Sequence, residues 1–106
     1  MAQSEDRVFT PGNGLAEAPG PGDSFPIDRF SYKSIQAIVP GGSYTLEFSN
    51  DGANWQQHGA ALSANALLDT ENGSPRLPMQ ARFMRFVTAT HNPGAIFAFS
   101  GYVPRP

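Results

Sequence analysis

From Ser43 to Ser49 the chain alternates: Tyr44, Leu46 and Phe48 fall on one side of an extended backbone and Thr45, Glu47 and Ser49 on the other, because successive strand residues project to opposite faces. The alternation stops at Asn50-Asp51-Gly52. These residue types tolerate positive φ, so the pattern predicts a hairpin turn with Gly52 in the left-handed region. Trp55 follows as a large aromatic, read as a core plug, with an exposed stacking platform for a sugar ring as the alternative. Short apolar runs separated by turn residues recur along the rest of the chain and predict strands over residues 27–32, 34–39, 43–49, 55–59, 61–68, 81–90 and 95–103. Residues 60–68 are alanine-rich, and one or two helical turns are the alternative there. Pro40-Gly41-Gly42, Asn72-Gly73-Ser74-Pro75 and His91-Asn92-Pro93-Gly94 are the breaks between runs.

The two ends of the chain depart from this pattern. Residues 1–26 hold Pro11, Gly12, Gly14, Pro19, Gly20, Pro21, Gly22 and Pro26, a density of breakers that excludes a helix or a central strand. They read as an extended arm outside a sandwich domain of residues 27–106. The arm is either a disordered tail or a segment laid on a neighbouring subunit through Val8, Phe9 and Leu15. Near the C-terminus, Phe83, Met84, Phe86 and Val87, with Ala95, Ile96, Phe97, Phe99 and Tyr102, put apolar groups on both faces of their strands. Part of that row is expected to face outward, with Phe86, Ile96 and Tyr102 at a subunit interface beside the arm residues Phe9 and Leu15.

Composition narrows the function classes. The chain has 106 residues, one domain at most, and no cysteine, so disulfides and thiolate metal sites are excluded. A formal net charge of −2 is too small to concentrate polyanions, which argues against nucleic-acid binding. Charged residues are 15% of the chain, below the quarter or so usual for soluble domains; neighbours covering part of the surface would account for that. The start has no signal-peptide architecture and no run is long enough to span a membrane, so the expected partners include no membrane and synthesis is expected in the cytoplasm.

No catalytic constellation is recognisable. His58 and His91 lack a nucleophile at a known spacing, and neither a nucleophile elbow, a zinc-binding helix motif nor a phosphate loop is present. The expectation is a non-enzyme without cofactor or metal. Asn50, Asp51 and Asn54 have the oxygens for calcium but not the dense acid spacing of a calcium loop, so Asp51 reads as a turn-shaping residue. Asn72-Gly73-Ser74 matches a glycosylation acceptor with no secretory context.

Ser49-Asn50-Asp51-Gly52-Ala53-Asn54-Trp55 behind an aromatic–aliphatic strand, then Ala81-Arg82-Phe83-Met84-Arg85-Phe86, resembles the second half of a discoidin-type, galactose-binding-like β-sandwich. The same two motifs resemble small structural proteins of tailed bacteriophages, over about residues 26 to 103. The resemblance implies an all-β antiparallel β-sandwich, jelly-roll or discoidin-like, with Trp55 structural and Arg82 and Arg85 matching the Ala-Arg-aromatic-x-Arg pattern. One of the two arginines is expected to pair with Glu47 or Asp28. The implied function is that of a virion structural protein, a capsid decoration or tail-associated subunit that binds itself and other virion proteins. A small carbohydrate-binding module, with a glycan as partner, is the alternative. The half of a discoidin domain that carries its ligand loops is largely missing here, as is its cysteine bracket, so no binding residue carries over.

Overall fold

The computed structural model describes residues 2–70, 77 and 81–104. Ten strands appear in chain order: β1 Ala2–Pro11, β2 Gly14–Leu15, β3 Gly20–Pro21, β4 Phe25–Pro26, β5 Tyr32–Ile38, β6 Ser43–Ser49, β7 Gln56–Leu62, β8 Ala66–Asp69, β9 Phe83–Thr90 and β10 Ile96–Pro104. The first sheet runs β2-β1-β10-β5-β8 and the second β3-β9-β6-β7, with β4 also on β9. The antiparallel pairs β1·β10, β4·β9, β5·β8 and β6·β7 are nested, as if one long hairpin had been folded over itself. That order is a jelly roll, a two-sheet form of the antiparallel sandwich.

Period-two patterning builds the core. Ile35 and Ala37 of β5, Tyr44, Leu46 and Phe48 of β6, Met84 and Phe86 of β9, and Phe97 and Phe99 of β10 all point between the sheets and are buried. Their rings meet in a chain of aromatic contacts, with Phe86 stacked on Phe97 at 4.4 Å and Phe9 edge-on to Phe86 at 4.9 Å. Burying one such side chain contributes about 1.5–3 kcal/mol of transfer free energy. Tyr44 is fully buried because its hydroxyl is satisfied: it accepts from the Asn92 N–H at 2.8 Å and donates to the Asn92 carbonyl at 3.2 Å, tying β6 to the β9–β10 turn. Lys33 shares the inward parity of β5 and is 1% exposed. Its Nζ donates to the Phe30 carbonyl at 3.2 Å, and burial pushes its pKa down.

Three expectations are corrected. The N-terminal segment is no arm: β1 pairs with β10 over Ala2 to Phe9, and Phe9, Leu15 and Phe25 are core residues. The breakers begin only at Pro11; beyond it Pro19 lies in a bend, and Pro21 and Pro26 lie in two-residue strands at a sheet edge, where a missing N–H is harmless. Residues 27–31 form a turn instead of a strand. Ile27 and Phe30 are both buried, and two residues three apart reach the same side through a turn, here closed by the Phe30 N–H on the Ile27 carbonyl at 3.2 Å. The two-faced reading of β9 and β10 is met only in part: Phe86, Phe97 and Phe99 share the inward parity and fill the core, whereas half-buried Phe83 on β9 and Ile96 and Tyr102 on β10 lie outward. The alanine-rich run divides into the end of β7, a three-residue connection and most of β8, with no helix. The Asn72-Gly73-Ser74 motif lies outside the described residues.

Candidate functional site

The corner formed by the β6–β7 loop and the start of β9 brings together Ser49, Asp51, Gly52, Trp55, Arg82 and Arg85. Six residues, 50–55, connect the strands, a longer turn than the alternation suggested. Asp51 organises it. Its Oδ1 accepts from the N–H groups of Asn54 and Ala53 at 2.8 and 2.9 Å and from Ser49 Oγ at 2.9 Å, while its Oδ2 accepts from Asn54 Nδ2 at 2.7 Å. The Asn54 bonds, then those from Ala53 and Ser49, hold its carboxyl well below the usual carboxylate range. Ser49 Oγ in turn accepts from the Gly52 N–H at 2.9 Å, and Gly52 takes φ +76°, as expected.

Both arginines find acids. Glu47 and Arg85 lie opposite each other on β6 and β9, and Arg85 Nε and Nη2 reach Glu47 Oε1 at 2.8 and 2.7 Å. Arg82 lies 3.8 Å from Asp28 across an exposed gap. Trp55 is no core plug: it is half-buried on the outer side of the second sheet, where the Arg85 guanidinium stacks 4.3 Å from its ring. The long loop carries it past the core entrance. Beside this corner opens a cleft of about 460 Å³, floored by Phe48 and Ala81 and rimmed by Asn50, Asn54, Gln56, Gln57 and His58. Its rim is amide-rich, and Asp51, its one carboxylate among the described residues, is already engaged by its own loop.

A second outward region lies on the first sheet. Cross-strand registration places Val8, Ala98, Gln36 and Leu67 in one row across β1, β10, β5 and β8, with Ile96 opposite Ile38 and Tyr102 opposite Tyr32 on the same face. Among the described residues the exposed large hydrophobics are Val8 (53%), Ile38 (38%), Leu67 (66%) and Tyr102 (48%), and all four share this face. Of the expected interface residues, Ile96 and Tyr102 belong here, whereas Phe9, Leu15 and Phe86 are internal. Ile38 and Leu67 were missed. Parity exposes them: once Ala37 and Leu68 are inward, Ile38 and Leu67 must be outward.

The fold and its two outward regions define the molecule as a small jelly-roll β-sandwich. No protein-family model matches the sequence, and no curated protein matches it. Solved structures do share the fold. A protein of the SPBc2 prophage, YomS, is similar with a TM-score of 0.63 and 12% identity over 97% of this chain and 94% of that one. A structure described as Bacillus endospore appendages that form disulfide-linked pili is similar with a TM-score of 0.58 and 12% identity over 100% of this chain and 88% of that one. At such identities the likeness is one of fold.

Proposed function

We propose that the chain is a non-enzymatic structural subunit of a phage-type particle or surface appendage, in which the outer face of the first sheet packs against other copies and other particle proteins. The single observation that carries this reading is that Val8, Ile38, Leu67 and Tyr102, the exposed large hydrophobics among the described residues, all fall on one sheet face, since apolar groups collected on one face mark association surfaces. A prophage-derived protein and a pilus-forming one among the fold's relatives favour the same reading. Within a virion the role is that of a capsid decoration or tail-associated subunit. The chain has no cysteine, so its contacts are not disulfide-linked, unlike those of the pili. The test is light-scattering mass of the protein against Leu67→Glu, with circular dichroism as the fold control. A folded variant of lower mass supports the reading, and an unchanged mass removes it.

The amide-rimmed cleft favours a second reading, a carbohydrate-binding module, because amides serve the paired donors and acceptors of neutral hydroxyls. A glycan array separates the two: binding that is lost in Asn54→Ala/Gln56→Ala supports the module, and no binding across the array rejects it.

A further inference from the structure

Jelly rolls have sheet edges, and in this one three are blunted. β8 is four residues long, β7 carries a bulge where Thr45 of β6 opposes three of its residues, 59–61, with Gly59 at φ +79°, and the outer side of β9 is covered by the two short strands β3 and β4. β1 is different. It runs for ten residues, and among the described residues its free side pairs only at Thr10 and Pro11 with β2, which leaves the edge from Ala2 to Phe9 without a neighbouring strand.

Two further features sit on that edge. Arg7 is exposed, its guanidinium held 4.5 Å from the Phe9 ring and 5.3 Å from that of Phe25, and among the described residues no carboxylate pairs with it. Glu5, one inward position away, is fixed by Arg29 at 2.7 Å, which leaves lone pairs on its carboxylate for a second donor. Beside them a cleft of about 220 Å³ opens, with Phe25, Phe30 and Phe99 on its floor and Glu5, Arg7 and Arg29 at its rim.

We infer that β1 pairs antiparallel with β1 of a second copy across a two-fold axis at Asp6, joining two first sheets into one continuous sheet. The register follows from charge and parity. For both cores to stay on the same side of the joined sheet, residues facing each other must share parity, so the axis passes through a residue. An axis at Glu5 would set Glu5 against itself, and one at Arg7 would set Arg7 against itself. An axis at Asp6 sets Arg7 against Glu5 of the partner subunit, twice, and supplies the acid that Arg7 lacks. Its cost is Asp6 against its own copy on the outer face. The pairing also doubles the apolar face, since Val8 lies beside the joint, and this inference therefore rests on the assembly reading above.

The chain is free of cysteine, which makes the register directly testable. Under mild oxidation Asp6→Cys is expected to form a disulfide-linked dimer, because directly opposed strand residues lie within disulfide reach. Val8→Cys, on the same strand and face, is opposite Ser4 of the partner subunit and is expected to stay uncoupled. In sedimentation equilibrium, Arg7→Glu should weaken dimerisation by about tenfold or more and Asp6→Asn should tighten it, as expected for close charge pairs. Asp6→Cys that couples no faster than Val8→Cys, or a dimerisation constant indifferent to Arg7→Glu in a folded protein, overturns the inference. Loss of assembly in Leu67→Glu with Asp6→Cys still coupling would localise the edge contact independently of the face; coupling absent while Leu67→Glu still lowers the mass would leave the assembly reading standing and remove this one.

Discussion

Gly52 has φ +76°, and the nearest atom a Cβ there would meet is in the Phe83 ring at 3.8 Å, so a larger side chain is opposed by the backbone rather than by packing. Gly52→Val is expected to lose about 1–3 kcal/mol through that strain, read as a lower urea midpoint. Gly101 is the opposite case. Its Cβ would stand 2.5 Å from the Phe30 ring, so Gly101→Ala is expected to disturb packing at a backbone any residue could adopt. Asp51 adds a pH dependence. Its carboxyl is depressed by the donors from Asn54, Ala53 and Ser49, so it favours the folded state above its unfolded pKa of about 3.9 and loses that contribution as pH falls toward its lower folded value. The gap in thermal midpoint between the native protein and Asp51→Asn is therefore expected to be widest near neutrality and to narrow in acid. A gap independent of pH would mean that the carboxylate does not hold the loop.

At the scale of elements, β6 could be read from the sequence because its apolar residues alternate without interruption, β9 because its apolar run is bounded by turn residues although Phe83 and Phe86 fall on opposite faces, and the loop between β6 and β7 because Asp51 and Gly52 have few other uses. β1 could not. Its first nine described residues contain neither proline nor glycine, but the breakers from Pro11 onward coloured the whole N-terminal stretch, and Phe9 acquires meaning only when β10 lies beside it. The outward position of Leu67 was hidden for a similar reason, since two adjacent leucines do not announce which one faces the core. The internal place of β1 and Phe86 has two measurable consequences. Deleting residues 1–24 removes β1, β2 and β3 with Phe9 and Leu15, and is expected to abolish cooperative unfolding rather than only weaken association. Phe86→Ser, fully buried between Phe9 and Phe97, should cost about 3–5 kcal/mol as a cavity and a stranded hydroxyl in the core. A stably folded protein after either change would contradict the packing described.

For the whole molecule, the two sheets differ in how they meet water. The second covers its outer face with Glu47, Arg85 and Trp55, a paired and stacked polar set, whereas the first presents Val8, Ile38, Leu67 and Tyr102. The exposed large hydrophobics of the described residues gather on one outer face, among Asp6, Gln36, Ser34 and Ser100, and such a face is suited to lie against a partner, while the β1 edge adds a second direction of contact. The decisive measurement is the light-scattering mass of Leu67→Glu beside that of the native chain, at equal concentration and with both shown folded by circular dichroism. A native mass at least twice that of a monomer, falling to the monomer in the variant, is the expected result; a native protein that stays monomeric at high concentration, or a variant of undiminished mass, contradicts the assembly face.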